Sequence, residues 1–99
     1  MSDDRDVAAT VAAIHDHLQA TEELPLEERA NRWLGEAQAV AADIAHGSPS
    51  REVVARRADQ IVHLLEQVDG TGDERADEHV ATARSQARAL VAHLDGPTE

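Results

Sequence analysis

Histidines and carboxylates are the residues of this chain whose types and spacing could do chemistry. The 99 residues include six histidines and 20 Asp and Glu, but no cysteine. Asp43 stands three residues before His46, and Asp59, His63 and Glu66 stand four and three apart. On a helix each of these groups lies on one face, where its members could share a metal ion. The absence of thiols excludes disulfides and zinc–thiolate sites.

The arrangement of these groups nevertheless argues against a metal centre. In carboxylate-bridged bundles, acid-x-x-His motifs from two helices and carboxylates from two others all project inward. The motif at 43–46 has no second copy, and the group at 59–66 lies opposite the apolar residues of its segment. His15 and His17 are two residues apart and point in different directions on a helix. We therefore expect solvated side chains, no metal ion and no cofactor.

Arg88 and His93 form a second constellation, with four residues between them. An arginine followed by a histidine at this spacing, late in a small helical bundle, resembles the RNA-cleaving motif of the HEPN family. Arg57 with His63 is a looser second match. The resemblance covers six residues and implies that the arginine and histidine attack and protonate a phosphodiester in a dimer groove. The position after the arginine is usually polar in that family, whereas here it is Ala89. A ribonuclease using Arg88 and His93 is therefore the alternative function.

The charge of the chain limits its partners. The formal net charge is -11, and all nine basic residues are arginine. An acidic surface without lysine is typical of proteins that work in molar salt, where the Debye length falls to about 3 Å. No basic patch is interleaved with aromatic residues, so direct binding to nucleic acid is disfavoured. The composition predicts halophilic adaptation and no nucleic-acid partner.

The same sequence predicts a cytoplasmic protein that does not enter membranes. Its acidic beginning has no apolar run behind it, which is unlike a secretory signal. The longest apolar run is far shorter than the roughly 20 residues of a membrane helix. At 99 residues the chain has room for one domain, 1–99, with one core.

Apolar residues recur every three or four positions in four segments, which is the spacing of one helical face. This pattern predicts helices at about 4–21, 25–46, 50–68 and 73–94. The short connections require consecutive helices to lie antiparallel, so the expected fold is all-α, a small antiparallel up-down bundle of four helices. An acidic disordered chain is the rival interpretation, because Leu, Ile, Val and Phe make up only about a fifth of the residues. A disordered chain would have no reason to keep the helical spacing.

Turn and capping residues support the same boundaries. Pro25 is suited to the first turn of the second helix, and Gly47 to a left-handed cap at its end. Ser48 or Ser50 can cap the third helix, and Asp73 the fourth.

The third helix carries an apolar arc of roughly 200°, about twice the width that one neighbour in a bundle requires. It is also the segment with the smallest net charge. Either this helix is the most buried one in the monomer, or the surplus face meets a second copy of the chain, and we lean towards a homodimer. The candidate interface residues are Val53, Val54, Ala55, Val62 and Leu64.

The function predicted from the sequence is a non-enzymatic helical interaction module that self-associates; any other protein partner remains unknown. Trp33, the chain's single aromatic residue, shares a face with Ala30, Ala37 and Val40, so we expect its ring inside the core.

Overall fold

The computed structural model describes residues 3–22, 24, 26–47, 50–68 and 70–95. Within these ranges the chain forms four α-helices and no strand. They are α1 (Asp3–Thr21), α2 (Glu28–His46), α3 (Arg51–Glu66) and α4 (Glu74–Asp95). The predicted all-α bundle of four helices is confirmed.

The four helices form a ring in which each helix packs on two others. α1 packs against α2 and α4, and α3 also packs against α2 and α4, whereas the backbones of the diagonal pairs do not come close to each other in their described parts. The α1–α4 contact therefore closes the ring between the first and last helices. No helix in the described ranges is both long enough and apolar enough to cross a membrane.

The core consists of the inward stripes that the sequence predicts, and small residues fill much of it. Ile14, Leu18, Ile61 and Leu65 are the largest apolar side chains that are completely enclosed. Alanine allows helix axes to approach closely but contributes little buried area, at about 25 cal/mol per Å². The buried alanines are Ala30, Ala37, Ala41, Ala58, Ala76, Ala83 and Ala87.

The expectation that Trp33 lies inside the core is wrong. Its ring is half-buried and packs against the edge of the core. Ala30, Leu34 and Ala37 form the inward face of α2, and Trp33 is turned roughly 60° away from Ala30 at about 100° per residue. An indole is too large for the narrow space between closely packed alanine faces, so it lies at the boundary with solvent.

Two helix ends differ from the predicted boundaries. α2 begins at Glu28 and not at 25, because Glu27 has an extended backbone and its N–H donates to the Thr71 carbonyl at 2.9 Å. Pro25 itself lies outside the described residues. α3 ends at Glu66 and not at 68, because the N–H groups of Gln67 and Val68 bond to carbonyls three residues back, as in a 3₁₀ turn.

Two of the predicted caps are confirmed and one is wrong. The Ser50 hydroxyl accepts the Val53 N–H at 3.3 Å, and Asp73 Oδ1 accepts the Arg75 and Ala76 N–H groups at 2.9 and 3.1 Å. Ser48 lies outside the described residues. Gly47 is extended, with φ -101° and ψ -169°, and is not left-handed. Its N–H already bonds to the Asp43 carbonyl at 3.2 Å, which completes the helix end without a left-handed turn.

Candidate functional site

An ion pair marks the seam between α2 and α3. Arg57 Nη1 lies 3.6 Å from Asp43 Oδ2, and both side chains are exposed. Because helix residues turn by about 100°, Trp33 and Val40 lie within about 80° of Asp43 around α2. Both side chains are half-buried and pack against the edge of the core. The flank of α2 that faces α3 therefore presents a half-buried indole and a half-buried valine.

The facing flank of α3 is also apolar. Leu64 and Val53 lie within about 40° of Arg57 around the helix, and both are half-buried. Since α2 and α3 are antiparallel and Arg57 lies beside Asp43, residues late in α3 stand beside residues early in α2, which places Leu64 within about one helical turn of the level of Trp33. We define the α2–α3 seam by Trp33, Val40, Val53 and Leu64.

The five residues predicted as an interface do not form one surface. Val54 and Val62 are 6% and 7% exposed, so the chain's own core already covers them. Ala55 and Val62 lie on the side of α3 that faces α4, whereas Val53 and Leu64 lie at the α2–α3 seam. The wide apolar arc is occupied in the monomer because α3 has two neighbouring helices. The role of the five predicted residues in association stays a prediction.

Arg88 makes a contact with α3. Its Nη2 donates to Glu66 Oε2 at 2.8 Å, and this hydrogen bond and the guanidinium charge hold the pKa of Glu66 below its ordinary value. The side chains of Arg88 and Glu66 are 57% and 40% exposed, so water screens the pair and its contribution to stability is small. Arg88 is therefore directed along the α3–α4 seam.

His93 lies on the other flank of α4. Five residues of helix turn by about 500°, which leaves Arg88 and His93 roughly 140° apart. His93 is on the side of α4 that carries His79, whose ring meets α1. The structure therefore does not bring Arg88 and His93 to one groove within a single chain.

The looser match, Arg57 and His63, is also separated. Arg57 lies at the α2–α3 seam, and His63 Nδ1 is 2.8 Å from the Asp59 carbonyl oxygen and 3.5 Å from its Oδ2. The hydrogen bond to that carbonyl and the Asp59 charge raise the pKa of His63 above its ordinary value. Each of these two side chains thus has an acidic partner in its own neighbourhood.

Two histidine pairs join α1 to its neighbours. His17 Nδ1 is 2.9 Å from His79 Nδ1 on α4, with the ring centroids 5.2 Å apart and the planes inclined at 45°. His15 meets His46 of α2 at 6.1 Å between centroids, with the planes at 70°. His15 and His17 point in different directions, as the spacing predicts, but each meets a histidine of another helix, and the sequence analysis missed both partners.

The loop between α3 and α4 is closed by a buried threonine. Thr71 is 0% exposed. Its backbone N–H and its hydroxyl donate to Asp77 Oδ1, at 2.9 and 2.8 Å. Its carbonyl accepts the Glu27 N–H at 2.9 Å. Gly70 and Gly72 flank it with φ of 121° and 86°, a left-handed backbone that glycine adopts without strain. Thr71 thus ties the start of α2 to the start of α4, a role that sequence reasoning missed.

The Asp73 cap belongs to the same loop. Its carboxylate accepts the Ala76 and Arg75 N–H groups, and the Arg75 guanidinium lies 3.6 Å away. The N–H of Ala76 is the largest cause of a pKa of Asp73 below its ordinary value. The ionised carboxylate is therefore the form that stabilises the first turn of α4.

One end of the bundle, where α2 and α4 end and α3 begins, holds a recess of about 600 Å³. Its lining is mainly apolar and includes Val7, Ile44, Val54 and Leu94. Among the described residues, no group of three or more His, Asp or Glu side chains is placed to hold a metal ion together.

Comparison with protein families gives one match. Residues 10–96 match the family described as "Domain of unknown function (DUF8152)", and the chain belongs to this family. The match runs from within α1 past the end of α4, so the family's domain contains all four helices of the ring. No curated protein and no solved structure matches the chain.

Proposed function

We propose that this chain is a non-enzymatic helical interaction module that pairs with a second copy of itself through the α2–α3 seam. The observation that carries the proposal is the position of Trp33. The only Trp, Tyr or Phe side chain of the protein is half-buried and keeps part of its surface exposed at the boundary between two helices. Tryptophan is among the residues most enriched in the few central positions of protein interfaces that contribute most of the binding energy.

The surroundings of Trp33 suit a partner with the same surface. The same seam carries three other half-buried side chains, Val40, Val53 and Leu64. A second copy would therefore bury apolar area that is exposed to solvent in a single chain. Tryptophan buries about 150–250 Å² when it is fully enclosed. A two-fold axis across the seam would pair the patch with itself, which is the commonest symmetry of soluble oligomers.

The distribution of charge favours α3 as the meeting place of two acidic chains. The segment Arg51–Glu66 has no net charge, whereas the whole chain carries -11. Its three arginines balance its three acidic residues: Arg51, Arg56 and Arg57 against Glu52, Asp59 and Glu66. Across a two-fold axis, Arg57 of one copy can also meet Asp43 of the other, since both side chains are exposed.

The proposal includes the setting in which the module works, a cytoplasm of high salt. At molar ionic strength the remaining carboxylates repel over only about 3 Å, so two acidic copies can approach. The complete absence of lysine supports this setting, because carboxylates replace flexible cationic chains on the surface. Low salt would oppose pairing.

The ribonuclease alternative has less support. A metal-independent phosphodiester cleavage by Arg88 and His93 needs both side chains at one phosphate. Arg88 donates a hydrogen bond to Glu66, and His93 lies roughly 140° away from Arg88 around α4. For cleavage, Arg88 of one chain would have to meet His93 of a second chain at the same phosphate, and Arg88 would have to leave Glu66.

The experiment uses two matched substitutions, Val40→Glu and Val91→Glu. Both valines are half-buried at the edge of the core, but Val91 lies on the α4 flank facing α3, away from the α2–α3 seam. Light scattering after size exclusion in about 2 M salt should give wild type a mass twice that of the 10.7 kDa chain. Val40→Glu should weaken dimerisation at least tenfold, about 1.4 kcal/mol, while Val91→Glu dimerises like wild type.

Circular dichroism of both variants separates loss of pairing from loss of folding. Val62 is unsuitable for this test, because at 7% exposure a carboxylate there would be buried without a partner and would unfold the chain. A monomeric wild type at millimolar concentration, or equal weakening by Val40→Glu and Val91→Glu, would refute the proposed interface.

A further inference from the structure

The contact between His17 and His79 differs from the other contact between two histidines in the described residues, that of His15 with His46. Its two Nδ1 atoms converge to 2.9 Å across the α1–α4 seam, although the two residues are 62 positions apart in sequence. In the absence of another atom, one Nδ1 must carry a hydrogen and donate it to the lone pair of the other. The same convergence also directs two imidazole lone pairs towards one point.

We propose that His17 and His79 bind a divalent late transition-metal ion of the zinc and copper class, with water in the remaining coordination positions. Imidazole nitrogen is a preferred ligand of Zn²⁺, Cu²⁺ and Ni²⁺. The ion adds a coordinate link to the α1–α4 contact that already closes the ring of helices. This site is independent of the α2–α3 seam.

The geometry is close to that of a bound state. With Zn–N bonds of about 2.0–2.1 Å in a tetrahedron, two ligand nitrogens stand about 3.3–3.4 Å apart. The Nδ1 atoms are 2.9 Å apart, so the rings need to separate by only about 0.4–0.5 Å. Small rotations of two half-buried side chains on the rim of a seam supply this movement without a change of backbone.

The surroundings leave room for the other ligands. His17 and His79 line an open recess of about 270 Å³ together with Arg75, Glu78 and Thr82. Because no group of three potential ligands converges among the described residues, water must complete the coordination shell. Glu78 adds negative charge beside the site. The positive charge of Arg75 is offset by Asp73, whose Oδ2 lies 3.6 Å from its Nη2.

The other cross-helix pair provides an internal control. His15 and His46 stand 6.1 Å apart between centroids in an edge-to-face arrangement, which does not aim two lone pairs at one point. Their substitution should therefore leave metal binding unchanged. His15→Gln and His46→Gln match His17→Gln and His79→Gln in chemistry and in the number of helices that they join.

The test measures binding of Zn²⁺, Cu²⁺ and Mg²⁺ to chelator-treated protein at about pH 7.5, by calorimetry and by thermal melting. The pH is kept above neutral because an imidazole binds a metal ion only in its neutral form. Zn²⁺ and Cu²⁺ should bind at one ion per chain, Cu²⁺ more tightly, and each should raise the melting temperature because the unfolded chain lacks the site. Mg²⁺, which prefers oxygen ligands, should do neither.

His17→Gln and His79→Gln should each weaken Zn²⁺ binding at least tenfold and abolish the rise in melting temperature. Their circular dichroism without metal should equal that of wild type, which shows that the site and not the fold was lost. His15→Gln and His46→Gln should bind like wild type. The inference is overturned if wild type shows no Zn²⁺ binding at millimolar metal, or if His17→Gln and His15→Gln bind equally well.

Discussion

Thr71→Val tests whether the loop before α4 holds two helix ends together. Valine has nearly the shape of threonine, so the substitution keeps the packing of a completely buried side chain and removes only the hydroxyl. The backbone bonds of Thr71 to Asp77 and Glu27 remain possible. What is lost is the hydrogen bond that the hydroxyl donates, with Asp77 Oδ1 and the Asp73 carbonyl oxygen both at 2.8 Å, along with the acceptor of the Asp73 N–H at 3.1 Å.

The size of the effect follows from these two contacts. A hydrogen bond to a charged group contributes about 1.5–3 kcal/mol, and Asp77 is exposed, which favours the lower end of that range. The Asp73 N–H can recover part of its bonding from water. The expected loss of unfolding free energy is therefore about 2 kcal/mol, which lowers the melting temperature of a chain of this size by about 8–16 °C.

Thr21→Val is the matched control. Thr21 is 1% exposed, and its hydroxyl donates to the Leu18 carbonyl of its own helix at 2.6 Å, so the bond joins no separate elements and involves no charge. We expect a cost of about 0.5–1.5 kcal/mol. Melting both variants by circular dichroism decides the matter. If Thr71→Val melts as high as Thr21→Val, the loop network does not hold α2 and α4 in place.

Two further predictions concern solution conditions. Because a net charge of -11 surrounds a core rich in alanine, the melting temperature should rise between about 0.1 M and 2 M salt; an unchanged value would remove halophilic adaptation as the reason for the charge. The pKa of Asp73 is lowered in the folded protein, so its ionised form stabilises the fold above its ordinary pKa of 3.8. This contribution is lost as the pH falls through the pKa that Asp73 has in the folded protein. The melting-temperature difference between wild type and Asp73→Asn should therefore be present at pH 7 and shrink below about pH 4; a gap that does not shrink contradicts the assignment.

The helices and their inward faces were predictable because they depend on local spacing. Val11, Ile14 and Leu18 lie on one face of α1 whatever the rest of the chain does, and all three are buried. The caps at Ser50 and Asp73 were predictable for the same reason, since each side chain bonds to N–H groups two or three residues ahead. Local rules placed these residues correctly.

The candidate site was less predictable because its contacts join different helices. The sequence shows which face of a helix is buried, but not the axial register between that helix and its neighbour. The approach of His17 to His79 and the hydrogen bond from Glu27 to Thr71 depend on this register. Trp33 was misplaced for a related reason, since its spacing agrees with the core face but its volume exceeds the gap between helices packed through alanine.

The thin core explains why the side chains of the two proposed sites lie at the outer seams. Alanines bring the helices close but leave little interior in which a large or polar side chain could be enclosed. Large and polar groups such as Trp33 and His17 therefore lie where two helices meet solvent. The α2–α3 seam and the α1–α4 seam are opposite edges of the ring, since they share no helix. A metal ion at the α1–α4 seam would leave the α2–α3 seam uncovered. Metal binding should therefore favour pairing only by stabilising the folded chain. Each proposal can fail while the other stands.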